Sequence, residues 1–324
     1  MEILHGLGLS AGGILSVLLH GLALASLLSA FGSLLFLSVL VPPALRRLAP
    51  QDQAVARNPA HSVARSSLLL AVLFELLWLG GESSVMAGAA SSAEAAGAVI
   101  VVVRATDFGH LVIAQILTLL AAFLFSTWHA RPALATVLAG LAVVFEAWHL
   151  HGAAMRGGLS PLLASELLHL LSAGAWLGGL LPLALFIRSV SPAAGALAAR
   201  RFSALASFVV LVLVITAFWQ GRTLVGSLSA LVRTAYGWVA LVKLALFVIL
   251  TGFAVRHRFR LTPALGGPGS IAARDALARS ILWEAGFGIA IVLVAAFISA
   301  LAPPAEMTMH MSCMHGGSVH VMTS

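Results

Sequence analysis

The sequence predicts an all-α polytopic membrane protein of about eight transmembrane helices, with both termini on the outer, periplasmic side. Composition, the length of the apolar runs and the distribution of arginine carry that prediction. Of 324 residues, 60% are hydrophobic and only 9% charged, and the mean hydropathy is +1.05. A soluble domain needs about 25% charged residues to wet its surface. A chain with so few cannot cover a water-facing exterior.

Apolar runs lie near 13–41, 67–90, 108–128, 132–153, 161–187, 203–225, 235–255 and 278–302. Each approaches or exceeds the roughly 20 residues that a helical crossing requires. A transmembrane barrel would instead show segments of about ten residues with alternating polarity. These runs are continuous and rich in Leu, Ala and Val, so helices are expected. The first run lacks the basic start of a signal peptide and reads as a retained span. The stretch 81–106, rich in Ala, Gly and Ser and carrying Glu82, Glu94 and Arg104, reads as an external loop. Residues 1–302 are expected to form one helical bundle and 303–324 a flexible periplasmic tail.

The formal charge of +7 comes from 17 Arg against a single Lys. In so apolar a chain it reports topology rather than affinity for nucleic acid. With the N-terminus outside, 13 Arg fall in inward-facing connections and only Arg104, Arg156, Arg222 and Arg233 outside. That bias places both termini outside, which in a bacterium is the periplasm. The inner arginines, including the RHRFR run at 256–260, are suited to anionic membrane lipid. One Cys excludes a disulfide within the chain.

An ionisable side chain inside a span is a functional candidate, because its burial is costly. Acid–x–x–His occurs four times, at Glu2–His5, Asp107–His110, Glu146–His149 and Glu166–His169. Chance placement would give roughly 0.4 such pairs. The spacing puts acid and His on one helix face. The topology brings His110, His149 and His169 to the outer ends of three consecutive spans. They form an expected metal site, with Asp107, Glu146 and Glu166 accepting the second ring N–H or serving as ligands themselves. His151 is an additional ligand at its mouth. Glu75, in the middle of span two, marks an ion path. Lys243 and Glu284, on spans seven and eight, are expected to form a structural ion pair.

The tail contains the run MTMHMSCMH, in which Met307, Met309, His310, Met311, Cys313, Met314 and His315 bring thioether, imidazole and thiol donors together. Such donors suit a soft ion, above all Cu(I), whereas hard cations prefer oxygen. Copper, as Cu+ or Cu2+, is therefore the expected ion. No GxxxxGK[ST] phosphate loop and no CxxCH haem attachment occur in the sequence, which argues against ATP-driven pumping by this chain alone and against covalent haem.

The stretch HLLSAGAWLGGLLPL at 169–183 resembles a signature of the copper resistance protein D (CopD) family of bacterial inner-membrane copper-handling proteins. RTAYGWVALVKLALF at 233–247, followed by RHRFRLTP and RSILWE, is similar to that family's C-terminal membrane block. Where the family usually carries Asn-Arg after its Lys-bearing span, this sequence has Arg256-His257-Arg258. The resemblance implies copper transport from the periplasm inward, alongside a small periplasmic carrier of the CopC type, with no defined enzymatic reaction. It carries over His169, Trp176, Tyr236, Lys243, Arg279 and Glu284; Trp176 and Tyr236 are placed along the path. Two other readings stay open on the residues alone. His facing one another across a bundle can ligate haem, and Glu-x-x-His on two helices is part of a di-metal oxidase recipe.

Overall fold

A computed structural model describes residues 11–46, 48–127, 131–151, 160–265 and 269–305. All regular structure among them is helical. In chain order the helices are α1 (Ala11–Leu35), α2 (Pro42–Leu45), α3 (Pro50–Ala87), α4 (Ser92–Ala105), α5 (Asp107–Thr127) and α6 (Pro132–His151). They continue as α7 (Pro161–Ser189), α8 (Pro192–Leu224), α9 (Leu228–Arg233), α10 (Ala235–Arg256), α11 (Thr262–Ala264) and α12 (Ser270–Ser299). Seven of these stretches are long and apolar enough to cross a membrane, and α6 is a shorter apolar helix beside them. The chain is an all-α polytopic membrane protein. The tail donors from Met307 to His315 lie outside the described residues.

Local chemistry explains most helix starts. Ser160, Ser191, Ser227 and Thr234 each accept a backbone N–H three residues on, and Pro161 and Pro192 occupy first helical positions. These are favoured N-terminal residues, because they satisfy or dispense with otherwise orphan donors. The same logic corrects the loop expected over 81–106. Helix α3 runs on to Ala87 and stops at Gly88, whose φ of 61° suits glycine. Ser91 Oγ then accepts from Glu94 N–H at 3.2 Å, while Glu94 Oε2 accepts from Ala90 N–H at 2.9 Å. That reciprocal cap starts α4, and α4 turns Ala98 and Val102 inward. The hydrogen bonds, from Ala90 first and Ser91 next, hold the Glu94 carboxyl below the usual range.

Two π-helical turns extend spans, Phe36–Leu40 after α1 and His257–Leu261 after α10. Each is followed within two residues by proline, Pro42 and Pro43 in one case and Pro263 in the other. Proline lacks the N–H that the carbonyl four residues back would accept, and its ring crowds that carbonyl. Val39 O is freed in this way by Pro43. Arg201 of α8 takes it with Nη2 at 3.2 Å, and bonds Leu40 O with Nε at 3.2 Å.

Helix α1 packs against α3, α6, α7 and α12; α5 lies on α3 and α6; α7 lies on α8 and α12, and α10 on α12. The bundle therefore has an N-terminal group (α1, α3, α5, α6) and a C-terminal group (α7, α8, α10, α12), joined mainly where α1 meets α7. That seam is a backbone contact. A Cβ on Gly178 would strike the Leu28 carbonyl oxygen, and one on Gly32 would strike Gly174 O and the Gly178 backbone. Gly174 and Gly178 form the small-xxx-small spacing that lets membrane helices approach closely. The far side of α10 presents Val242, Leu244 and Val248 outward, as a lipid-facing helix does. Gly178→Ala is expected to lower stability by about 1–3 kcal/mol through overpacking. Gly252→Ala, where an added Cβ meets nothing within 4 Å, should be tolerated; thermal unfolding in detergent distinguishes the two.

Candidate functional sites

Four helices of the N-terminal group each bring one polar side chain to the same buried point. His20 of α1, Glu75 of α3, Gln115 of α5 and Glu146 of α6 are all at most 6% exposed. His20 Nε2 lies 2.7 Å from Glu146 Oε1. The Gln115 amide nitrogen donates to Glu75 Oε1 and to Glu146 Oε2, both at 3.1 Å. It has two hydrogens, so one amide holds two carboxyl groups on either side of it. Trp78 stacks on the His20 ring at 4.4 Å, and Phe108 meets Trp78 edge-on at 5.2 Å. One turn before His20, Ser16 Oγ donates to Glu82 Oε2 at 2.5 Å. Glu75 Oε2 and Gln115 Oε1 accept no hydrogen bond. Imidazole and carboxyl oxygens concentrated in an apolar bundle can bind a cation or pass a proton.

A second polar group lies between α7, α8 and α10. His169 Nδ1 is 2.9 Å from Thr216 Oγ1, whose own hydroxyl donates to Val212 O at 2.8 Å. Thr216 is therefore the acceptor, His169 donates through Nδ1, and Nε2 is left for other contacts. Lys243 acts electrostatically on His169 and on Glu166, one turn before it.

The third group lies deeper in the C-terminal half. Trp176 Nε1 donates to Glu284 Oε1 at 3.0 Å, His257 Nδ1 lies 2.9 Å from Glu284 Oε2, and His257 Nε2 is 2.8 Å from Ser280 Oγ. Trp176 is fixed in turn by an edge-on contact with Phe247. Beside this group lies a cavity of about 330 Å³ lined from α7, α8, α10 and α12, with Trp176, Val210, His257 and Glu284 in its wall.

Against this geometry the relatives can be weighed. Residues 11–161 match the family described as copper resistance protein D-like, N-terminal domain, and residues 196–298 match copper resistance protein D. The chain belongs to the copper resistance protein D family. A copper resistance protein D from Pseudomonas syringae pv. tomato is 27% identical over 268 residues, covering 76% of this chain and 86% of that protein. Copper transport protein CutJ from Bacillus subtilis (strain 168) is 32% identical over 145 residues, 44% of this chain and 25% of CutJ. No solved structure matches.

The N-terminal family region contains the whole His20–Glu75–Gln115–Glu146 cluster, and the copper resistance protein D region contains Lys243, His257, Ser280 and Glu284. Among the described residues no three His, Cys, Asp or Glu side chains are gathered closely enough to hold a metal. Asp107 and His110 sit exposed at the start of α5, while His169 faces α8 and α10. The structure thus gives His110 and His169 different surroundings, since α5 lies on α3, α4 and α6 and α7 on α1, α3, α6, α8 and α12. The side chains of His149 and His151, at the end of α6, lie outside the described residues. Glu146 turns to His20 and Gln115, and Glu166 to Lys243, so these two acids serve different groups. Tyr236 is buried at the start of α10, and Arg279 is exposed.

In place of the expected Lys243–Glu284 pair, Glu284 is held by Trp176 and His257, while Lys243 acts on Glu166. The reason is register: His257 stands opposite Ser280 and Glu284, and Lys243 lies 14 residues earlier on α10, about 20 Å along the axis at 1.5 Å per residue. His20, Gln115, Trp78 and His257 escaped the sequence reading. A double-mutant cycle of His20→Ala and Glu146→Gln should show a coupling of about 0.5–3 kcal/mol, read from unfolding of the detergent-solubilised protein. Additive effects would dissolve the pair.

Proposed function

We propose that this chain is a copper transporter of the bacterial inner membrane, which captures copper on the periplasmic side and passes it inward without acting as an enzyme. The observation that carries the reading is the placement of four buried polar residues, from four spans, within the family's N-terminal region. An apolar bundle has no structural need for a histidine and two carboxyl groups at one point, and such groups in a membrane interior mark ion pathways. Both relatives carry copper in their names, one for resistance and one for transport.

The Met/His/Cys run from Met307 to His315 supplies capture, taking Cu(I) from a small periplasmic carrier of the CopC type. The bundle comprising residues 1–302 supplies passage. His110, His149, His151 and His169 stand near the receiving ends of their spans, and His20 with Glu146, Glu75 and Gln115 forms the relay below them. In that relay the Gln115 amide occupies the position between two carboxyl oxygens that a cation would take. Cargo entering there displaces an amide hydrogen bond rather than opening a closed core. The inner arginines hold the bundle's orientation against anionic lipid.

The test is copper flux into proteoliposomes containing the full chain, followed with a trapped copper indicator. Wild type should transport, and His20→Ala and Glu146→Gln should each cut the rate at least about tenfold while retaining the fold, the loss expected when a ligand or its orienting partner is removed. Deletion after Ala305 should raise the copper concentration needed without abolishing flux. Flux equal to empty vesicles in the wild type overturns the proposal.

A further inference from the structure

We infer that the 330 Å³ cavity of the C-terminal group is a binding site for one anionic phospholipid, with an acyl chain in the cavity and the phosphate on Arg258. The inference does not depend on the copper reading above.

The first observation is a gap in the packing. Helix α10, with its π-helical extension, is the least enclosed of the seven spans. It packs on α12, while α8 packs on α7, and the cavity fills the space that this arrangement leaves. Its deep wall is apolar and buried, formed by Leu180, Leu183, Phe202, Leu277 and Ile281. The volume lies within the roughly 300–1,000 Å³ of small-molecule sites, which are mostly apolar. A wall of this kind offers water few partners. Glu284, in the same wall, is engaged by Trp176 through Oε1 and by His257 through Oε2.

The second observation is where the cavity opens. Ser207, Val255, Arg258 and Phe259 also line it and are exposed, so it reaches the surface of the bundle there. On the same helix faces, Leu211 stands one turn beyond Ser207 and Val248 two turns before Val255, and both are exposed and apolar. That surface belongs to two spans. A ligand entering through it comes from the lipid phase rather than from water.

The third observation is a cation fixed at this mouth. Arg258 lies on the π-helical turn His257–Leu261, and single π turns recur at functional sites. Its Nη1 reaches across to α8, donating to Ser207 Oγ at 2.9 Å and to Ser203 O and Oγ at 3.3 and 3.4 Å. A guanidinium has five N–H donors. These contacts use a single nitrogen, and Nε and Nη2 have no acceptor among the described residues. A guanidinium held in place with its fork free suits a phosphate. Arg256 and Arg260 beside it, and Arg200 at the same end of α8, make this end of the group positive. Basic pockets between membrane helices bind anionic head groups in this way. The carboxyl group of Glu284 repels a phosphate from the deep end, so the chain enters and the head group stays at Arg258.

The experiment delipidates the full chain in mild detergent and titrates it with phosphatidylglycerol or with phosphatidylcholine of identical chains, counting bound lipid by native mass spectrometry. The wild type should bind one phosphatidylglycerol per chain about tenfold more tightly than phosphatidylcholine, the preference expected of charge-assisted hydrogen bonds. Arg258→Ala should remove that preference, and Arg260→Ala, outside the cavity wall, should keep it. Ala206→Phe, which fills the buried part of the wall, should weaken binding of both lipids about tenfold or more. If Ala206→Phe unfolds, the comparison of Arg258→Ala with Arg260→Ala decides. Equal binding of the two lipids by the wild type, equal losses in the two arginine variants, or a dimer of the delipidated chain that neither lipid dissociates would overturn the site and leave the transport proposal standing.

Discussion

Helix α1 meets α7 backbone to backbone at Gly32 and Gly178, with the Phe31 side chain against Gly174. This contact sets the position of both halves of the bundle. It draws α1 into the protein deeply enough that His20 faces α3, α5 and α6 rather than lipid. It also makes α7 the most enclosed span, so that Trp176, between Gly174 and Gly178 in sequence, turns toward α10 and α12. A side chain at Gly32 or Gly178 would meet backbone and separate the helices. In a bundle whose lipid-facing surface gains little from apolar contact, close packing of this kind replaces the hydrophobic effect as the source of cohesion.

The two halves solve the problem of a buried carboxylate in parallel ways. Glu146 takes His20 and the Gln115 amide; Glu284 takes Trp176 and lies against His257. Each histidine is held by an aromatic neighbour, Trp78 stacked on His20 and Phe253 tilted against His257. The difference lies in what borders the groups. Both His–carboxylate contacts are short, at 2.7 and 2.9 Å, and His257 and Glu284 also line the cavity. One group is closed by an amide that must move, and the other is already open to a cavity.

Much of the fold was legible in the sequence, because crossing a membrane imposes a length and a composition that few other constraints mimic. The eight apolar runs correspond to α1, α3, α5, α6, α7, α8, α10 and α12. The stretch 81–106 was not legible, because its Ala and Gly content conceals a helix started by the Ser91–Glu94 cap. The candidate sites were legible only in part, and the reason is geometric. An acid–x–x–His rule looks along one helix, and it picked out Glu146, which is buried, and Glu166, which is half-buried. The partners of buried groups come from other helices: His20 is 126 residues from Glu146 and Gln115 is 40 from Glu75. His20 could have been found by the criterion that selected Glu75, an ionisable residue well inside an apolar run. For Glu284, choosing Lys243 as partner required only adjacent spans, and the antiparallel register of α10 and α12 excludes it.

The donor chemistry changes along the proposed route. The run from Met307 to His315 offers thioether, thiol and imidazole, a set that holds a soft ion well. Inside the bundle the candidate donors are imidazole and carboxyl oxygen, which bind Cu(I) less tightly per ligand. Transfer along the proposed route therefore cannot rest on tighter binding at each step. It has to rest on electrostatics. The buried carboxyl groups at Glu75, Glu146 and Glu284 offset part of the cost of bringing a cation out of water, a cost that no neutral set of donors in an apolar medium would cover. A route built on weak ligands and compensating charge also lets the ion go at its inner end. A chain of thioether sites of rising affinity would instead retain copper at its last member.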